Sequence, residues 1–129
     1  MENLDKLCAE YGYRFAEQVS TANGFDAKKA GTLLTRALGV LQEQGLYAFT
    51  LFCTSRGSAE KAGAEKIKEV SHELLKEKLQ LIGDDELLEE IRRDGGLATR
   101  LEDLMLAIQV LEKSLIYARF HAKAIENLR

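Results

Sequence analysis

Proline is absent from all 129 residues of the chain, so nothing in the sequence breaks a helix in the way that proline does. Ten glycines remain to end and separate the elements of structure. Leu, Ala, Glu and Lys are abundant, only 7% of the residues are aromatic, and the hydrophobic share of 46% is enough for a core. A chain of this length is typical of one domain. These features predict a single α-helical domain over residues 1–129.

Apolar residues recur at three- and four-residue spacing along most of the chain, as expected of helices that bury one face. Asp26 is positioned to cap the second helix, and Thr99 with Glu102 has the spacing of a capping box. The pattern predicts an all-α bundle of five or six helices with a long C-terminal helix. Five of the predicted helices cover about 3–22, 26–45, 46–56, 59–81 and 99–127. The sixth is a short acidic helix between 81 and 99, which follows a turn and cap at 83–85 and ends at about 93.

The segment from Leu46 to Arg56 is ambiguous, because its aromatic and β-favouring residues would also suit a buried strand. The chain offers no second strand to pair with it, so we expect a short, almost fully buried helix. The last helix has an apolar stripe that we expect to face the core: Leu101, Leu104, Met105, Ile108, Leu111, Leu115, Ala118, Ala122 and Ile125.

The net charge of −3 argues against a strongly basic nucleic-acid-binding protein. The charges are unevenly distributed: residues 84–103 hold eight acids and three arginines, whereas 104–129 hold two acids and four bases. One interpretation is a solvated acidic loop, followed by a helix whose cations complement its dipole. The other is a molecule with one acidic end, suited to head-to-tail contacts between copies.

The residue patterns of common catalytic sites are missing. There is no phosphate-binding glycine loop, nucleophile elbow or zinc-protease motif. Glu69 and His72 have the spacing of one half of a carboxylate di-metal site, but Ala118 stands three residues before His121, so the second half is missing. Cys8 and Cys53 lie in apolar contexts, typical of buried thiols in a reducing, cytoplasmic compartment. We expect no enzymatic activity, no metal or other cofactor, no signal peptide and no membrane span.

Two stretches resemble a known family. The first runs from Leu41 to Phe52 and is followed by the turn Ser55-Arg56-Gly57; the second is the closing helix around Arg119 and Phe120. Together they are similar to the small all-helical subunit of type III-B (Cmr) CRISPR RNA-guided effector complexes, over about residues 1–127. The chain differs from that family in having no tryptophan before the basic residue, where Ala118 stands, and in being less basic than many members.

The resemblance implies a non-catalytic subunit of an antiviral ribonucleoprotein, stacked in several copies along a guide RNA–target RNA duplex and beside other effector subunits. It implies that Arg56 and Arg119 contact RNA. Spacing along the helices adds three candidates that contact the backbone rather than the bases: Lys61, Lys68 and Lys123.

Three alternatives remain open from the sequence. The small subunit of type III-A complexes fits the same residues. A helical adaptor or regulatory module that does not bind nucleic acid would use the acidic segment 84–94 to dock on a basic protein. A metal-dependent helical enzyme would be built around Glu69 and His72.

Overall fold

The computed structural model describes residues 3–128, which form six α-helices joined by short connections. A π-helical turn, Leu74–Lys78, continues the fourth helix, and a 3₁₀ turn, Leu97–Thr99, precedes the last one. No strand occurs among these residues, so the predicted all-α domain with a long closing helix is confirmed. The helices are α1 (Leu4–Ser20), α2 (Ala27–Gln44), α3 (Leu46–Thr54), α4 (Lys61–Glu73), α5 (Leu87–Arg92) and α6 (Leu101–Asn127).

The second helix begins and ends where local sequence signals predict, whereas the first, predicted to run to about Ala22, ends at Ser20. The carboxylate of Asp26 accepts a hydrogen bond from the backbone N–H of Lys29 at 2.8 Å, which confirms Asp26 as the cap of α2. Gly45, at φ +93°, lies between α2 and α3 in a conformation that only glycine adopts without strain.

The caps predicted for the last two helices are wrong. The residue before α5 is Glu86, and no side chain caps that helix. Thr99 lies in the 3₁₀ turn, where its hydroxyl donates to the carbonyl of Gly96 at 2.7 Å instead of joining a capping box with Glu102. As a result α6 begins at Leu101, two residues later than predicted.

The core is built around α6, which packs most extensively against α1 and α2. α1 and α6 approach each other closely at Gly12, where a Cβ atom would lie only 2.5 Å from the Cβ of Tyr117. The largest fully buried side chains come from every helix: Phe15, Leu33, Leu34, Leu41, Phe49, Ile67, Ile91, Leu111 and Leu115, with Leu74, Leu75 and Leu97 from the two turns.

Burial differs from the prediction in α3 and α6. α3 is only partly buried, since Leu51 is 44% exposed. In α6 the predicted stripe is correct from Leu111 to Ala122 but wrong at its start, where Leu101 and Met105 are 68% and 53% exposed. The predicted residues Leu104 and Ile108 do pack, partly buried, against the core, and Ala107 and Val110 are buried beside them.

The fourth predicted helix ends early. Its α-helical part stops at Glu73, and the π-helical turn that follows allows the consecutive residues Leu74 and Leu75 both to be fully buried. Gln80, at φ +55°, then directs the chain away from the helix axis, so the helix does not reach Leu81.

Candidate nucleic-acid interface

A groove of about 620 Å³ lies on the surface between α2 and α6. It combines four basic side chains with one acidic one, and it has one aromatic ring. We call it the α2–α6 groove and define it by its lining residues: Lys28, Gly31, Thr32, Thr35, Arg36, Arg119, Phe120, Lys123 and Glu126.

Helix periodicity places the basic residues of each helix in one row. Lys28, Thr32 and Arg36 follow one another at intervals of four along α2, and Arg119 and Lys123 do so along α6. The two backbones approach closely beside the groove, since a Cβ on Gly31 would lie 3.6 Å from the Cβ of Ala122. The basic residues of both helices therefore face one shared surface.

The positive charge of the groove is only partly neutralised. Arg36 pairs with Glu60 at 2.5 Å, and Lys123 lies 3.8 Å from Glu126. Lys28 and Arg119 form no ion pair with a carboxylate among residues 3–128. Exposed ion pairs contribute only about 0–1 kcal/mol and are screened by salt, so an anionic ligand can replace those carboxylates. The groove is thus suited to a polyanion.

The predicted residue Arg56 lies next to the groove rather than inside it. Its guanidinium carbon is 4.0 Å from the centre of the Phe52 ring, and the same ring lies 5.5 Å from the guanidinium of Arg36. Both arginines also approach Glu60, with Arg56 at 3.7 Å. Arg36 lines the groove, and Arg56 shares the contacts with Phe52 and Glu60. Arg56 therefore extends the basic surface beyond the end of the groove.

A second cavity, of about 470 Å³, adjoins the groove and shares Lys28 and Thr32 with it. Lys29 adds a further cation to this cavity, whereas Asp26 and Glu60 make it more acidic than the groove. Of these two cavities, the α2–α6 groove is therefore the more positive.

The other two predicted residues do not reach the groove. Lys61 is exposed at the first residue of α4. Lys68 lines a different cavity of about 200 Å³, together with Glu69, His72 and Glu86. Of the five predicted cations, the structure brings Arg119 and Lys123 together, places Arg56 beside them, and separates Lys61 and Lys68 from them.

Sequence reasoning missed Lys28 and Arg36. Their spacing of eight residues on the polar side of α2 was a visible signal for a shared face. The packing of that face beside Arg119 is a tertiary contact that helix periodicity alone does not show.

The acidic segment lies at the opposite end of α6. Arg100, just before this helix, donates to the carbonyl of Leu81 at 2.7 Å, and the groove begins at Arg119, about 28 Å further along the axis. Many acids in the segment pair locally, so fewer are left for a basic partner; the pairs are Asp84–Lys76, Asp85–Arg93, Glu90–Arg93 and Glu89–Arg92.

The side chains suited to metal binding or nucleophilic chemistry, those of His72, Cys8 and Cys53, are hydrogen-bonded or buried in the fold. Nε2 of His72 lies 2.9 Å from the carbonyl oxygen of Asp85. Across residues 3–128, no group of three or more His, Cys, Asp or Glu side chains is arranged to hold a metal ion. Cys8 and Cys53 are unpaired and buried, as predicted, and burial raises the pKa of the Cys53 thiol to about 12.

None of the helices described is both long enough and apolar enough to cross a membrane. Comparisons of the chain with protein-family models, with curated proteins and with solved structures gave no match.

Proposed function

We propose that this protein is a non-catalytic, RNA-binding structural subunit of a cytoplasmic type III CRISPR ribonucleoprotein, of the small-subunit kind that its sequence resembles. The observation that carries the proposal is the α2–α6 groove, in which Arg119 and Lys123 meet Lys28 and Arg36 across two helices. A subunit that follows RNA needs contacts to the sugar–phosphate backbone more than readers of base edges.

The side chains of the groove match that task. Lysine and arginine neutralise phosphates without regard to base sequence. The hydroxyls of Thr32 and Thr35 donate to backbone carbonyls of their own helix, at 3.1 and 2.7 Å, and their oxygens can also accept a hydrogen bond from a ribose hydroxyl. The groove therefore offers positive charge and hydrogen-bonding groups along one line.

The separation of charge along α6 supports stacking of several copies. Its first turn contains Glu102 and Asp103, while Arg119 and Lys123 lie in the groove near its other end. A molecule whose two ends differ in charge is suited to heterologous, head-to-tail contacts, which form open filaments. In such a filament the contact between copies has to lie outside the groove, so that the cations of the groove stay free for RNA.

The test is a pull-down of the tagged full-length chain from its native host, with sequencing of the RNA that copurifies. We expect larger effector subunits and short RNAs that share a repeat-derived 5′ end. Recovery of the chain alone, or with unrelated proteins and no RNA, would refute the proposal and favour a helical adaptor module.

A charge-reversal pair makes the pull-down specific for the groove. Arg119→Glu with Lys123→Glu is expected to reduce the recovered target RNA. Lys61→Glu with Lys68→Glu changes the net charge equally but lies outside the groove, and is expected to leave RNA recovery near the wild-type value. Equal loss of RNA with both double variants would contradict binding in the groove.

A further inference from the structure

Phe120 stands out in the α2–α6 groove because its side chain has no structural role in the core. It is 63% exposed and lies outside the hydrophobic core, although it is among the largest apolar side chains of α6. The neighbouring Arg119 places its guanidinium carbon 5.7 Å from the centre of the Phe120 ring. An exposed ring beside cations is the arrangement by which proteins bind single-stranded nucleic acid.

We propose that Phe120 is a stacking platform for one unpaired nucleobase, whose flanking phosphates are bound by Arg119 and Lys123. This inference rests on the proposed RNA binding and names the class of RNA that the groove prefers: a strand with at least one unpaired nucleotide. A base on the ring would bury apolar surface that is now exposed to water.

The positions of the cations suit a strand that passes the ring. Arg119 precedes Phe120 directly, and Lys123 follows Arg119 by one turn, about 6 Å along the helix axis. Lys28 and Arg36 line the facing wall on α2. A single strand can therefore place its phosphates against both walls while one base turns onto the ring.

A fully paired duplex cannot use this platform. The faces of its bases are covered by their neighbours in the stack, and the deep, narrow major groove of A-form RNA excludes side chains. Duplex binding would depend on the cations alone. The inference therefore predicts a preference for single-stranded RNA that disappears when Phe120 is removed.

The absence of tryptophan from the chain allows a direct optical test, since Phe120→Trp introduces the sole indole. A nucleobase stacked on that indole quenches its fluorescence. Leu101→Trp is the matched control: Leu101 is 68% exposed on the same helix, about 28 Å from position 120 along the axis. Binding is followed in parallel by the fluorescence anisotropy of a short labelled RNA, either single-stranded or annealed to its complement.

We expect single-stranded RNA to quench the Phe120→Trp protein strongly, duplex RNA to quench it little, and neither RNA to quench the Leu101→Trp protein. Phe120→Ala should weaken single-strand binding about five- to 150-fold, the range typical of one stacked base, and leave duplex binding unchanged.

The two proposals fail in different ways. If anisotropy saturates but position 120 is not quenched, or if Phe120→Ala binds single strands as well as wild type, stacking is refuted while phosphate binding stands. Equal quenching at positions 101 and 120 also refutes stacking. If neither RNA changes the anisotropy at low salt, the groove does not bind RNA and both proposals fail.

Discussion

Replacing Arg119 by glutamine removes one positive charge from the α2–α6 groove with little other disturbance. Arg119 has no carboxylate partner among the described residues, so its loss leaves no acid unpaired. Its side chain is only partly buried, and glutamine can occupy the same surface. The variant therefore isolates the contribution of the charge to RNA affinity.

The size of the effect follows from counterion release. Each phosphate that a single strand places against a cation contributes about −0.7 to the slope of log K against log salt. With the four cations of the groove engaged, the slope is about −2.8, and it becomes about −2.1 in Arg119→Gln. Between about 50 and 200 mM salt, affinity should then fall about 50-fold for the wild type and about 18-fold for the variant.

The assay is a salt titration of binding to a short single-stranded RNA, read by fluorescence anisotropy. Lys61→Gln is the matched control, because it removes the same charge from an exposed lysine outside the groove. We expect the control to keep the wild-type slope. Equal slopes for wild type and Arg119→Gln, or an equal decrease in both variants, would refute the assignment of the groove as the phosphate-binding surface.

Three further predictions concern the fold. Gly12→Ala should lower the free energy of unfolding by about 1–3 kcal/mol, because the new methyl group would lie 2.5 Å from the Cβ of Tyr117 and 3.1–3.2 Å from backbone atoms of α6. Gly39→Ala should raise it by about 0.5–1 kcal/mol, because nothing lies within 4 Å of the new methyl group; urea unfolding followed by circular dichroism measures both. Hydrogen bonds from Lys113 and Tyr117 hold the pKa of the Asp5 carboxyl below its ordinary value. Asp5→Asn should therefore destabilise the protein at neutral pH, and the difference in stability between variant and wild type should vanish as pH falls through the lowered pKa. Unfolding curves at several pH values check this. Cys53, with its pKa raised to about 12 by burial, should resist iodoacetamide at about pH 8 in the folded protein and react in urea, as mass spectrometry would show; equal labelling in both states would contradict the buried placement.

Local signals were sufficient to predict the helices whose ends depend on neighbouring residues. Asp26 caps α2 because its side chain reaches the N–H of Lys29, an interaction contained within four residues. The start of α6 was mispredicted because Thr99 can hydrogen-bond in two ways. In the folded chain its hydroxyl bonds to Gly96, in a turn held by the tertiary contact of Arg100 with the carbonyl of Leu81.

The candidate site was predictable only where it lies on one helix. A spacing of four placed Arg119 and Lys123 together, and the structure agrees. The spacing of Lys61 and Lys68 along α4 also predicted two site residues, but both lie outside the groove. The prediction failed because the spacing of charges does not show which face of a helix lies beside a neighbouring helix. The cations of α2 join the site through helix packing, and that packing depends on the complete core.

The central claim is that the α2–α6 groove binds RNA, and mapping of amide chemical shifts by NMR tests it most directly. The isotope-labelled 14.4 kDa chain is titrated with a short single-stranded RNA at low salt. We expect the largest shifts at residues 28–36 and 119–126. Shifts centred on the acidic segment 84–94 or on Lys61 and Lys68, or no shifts at saturating RNA, would contradict it.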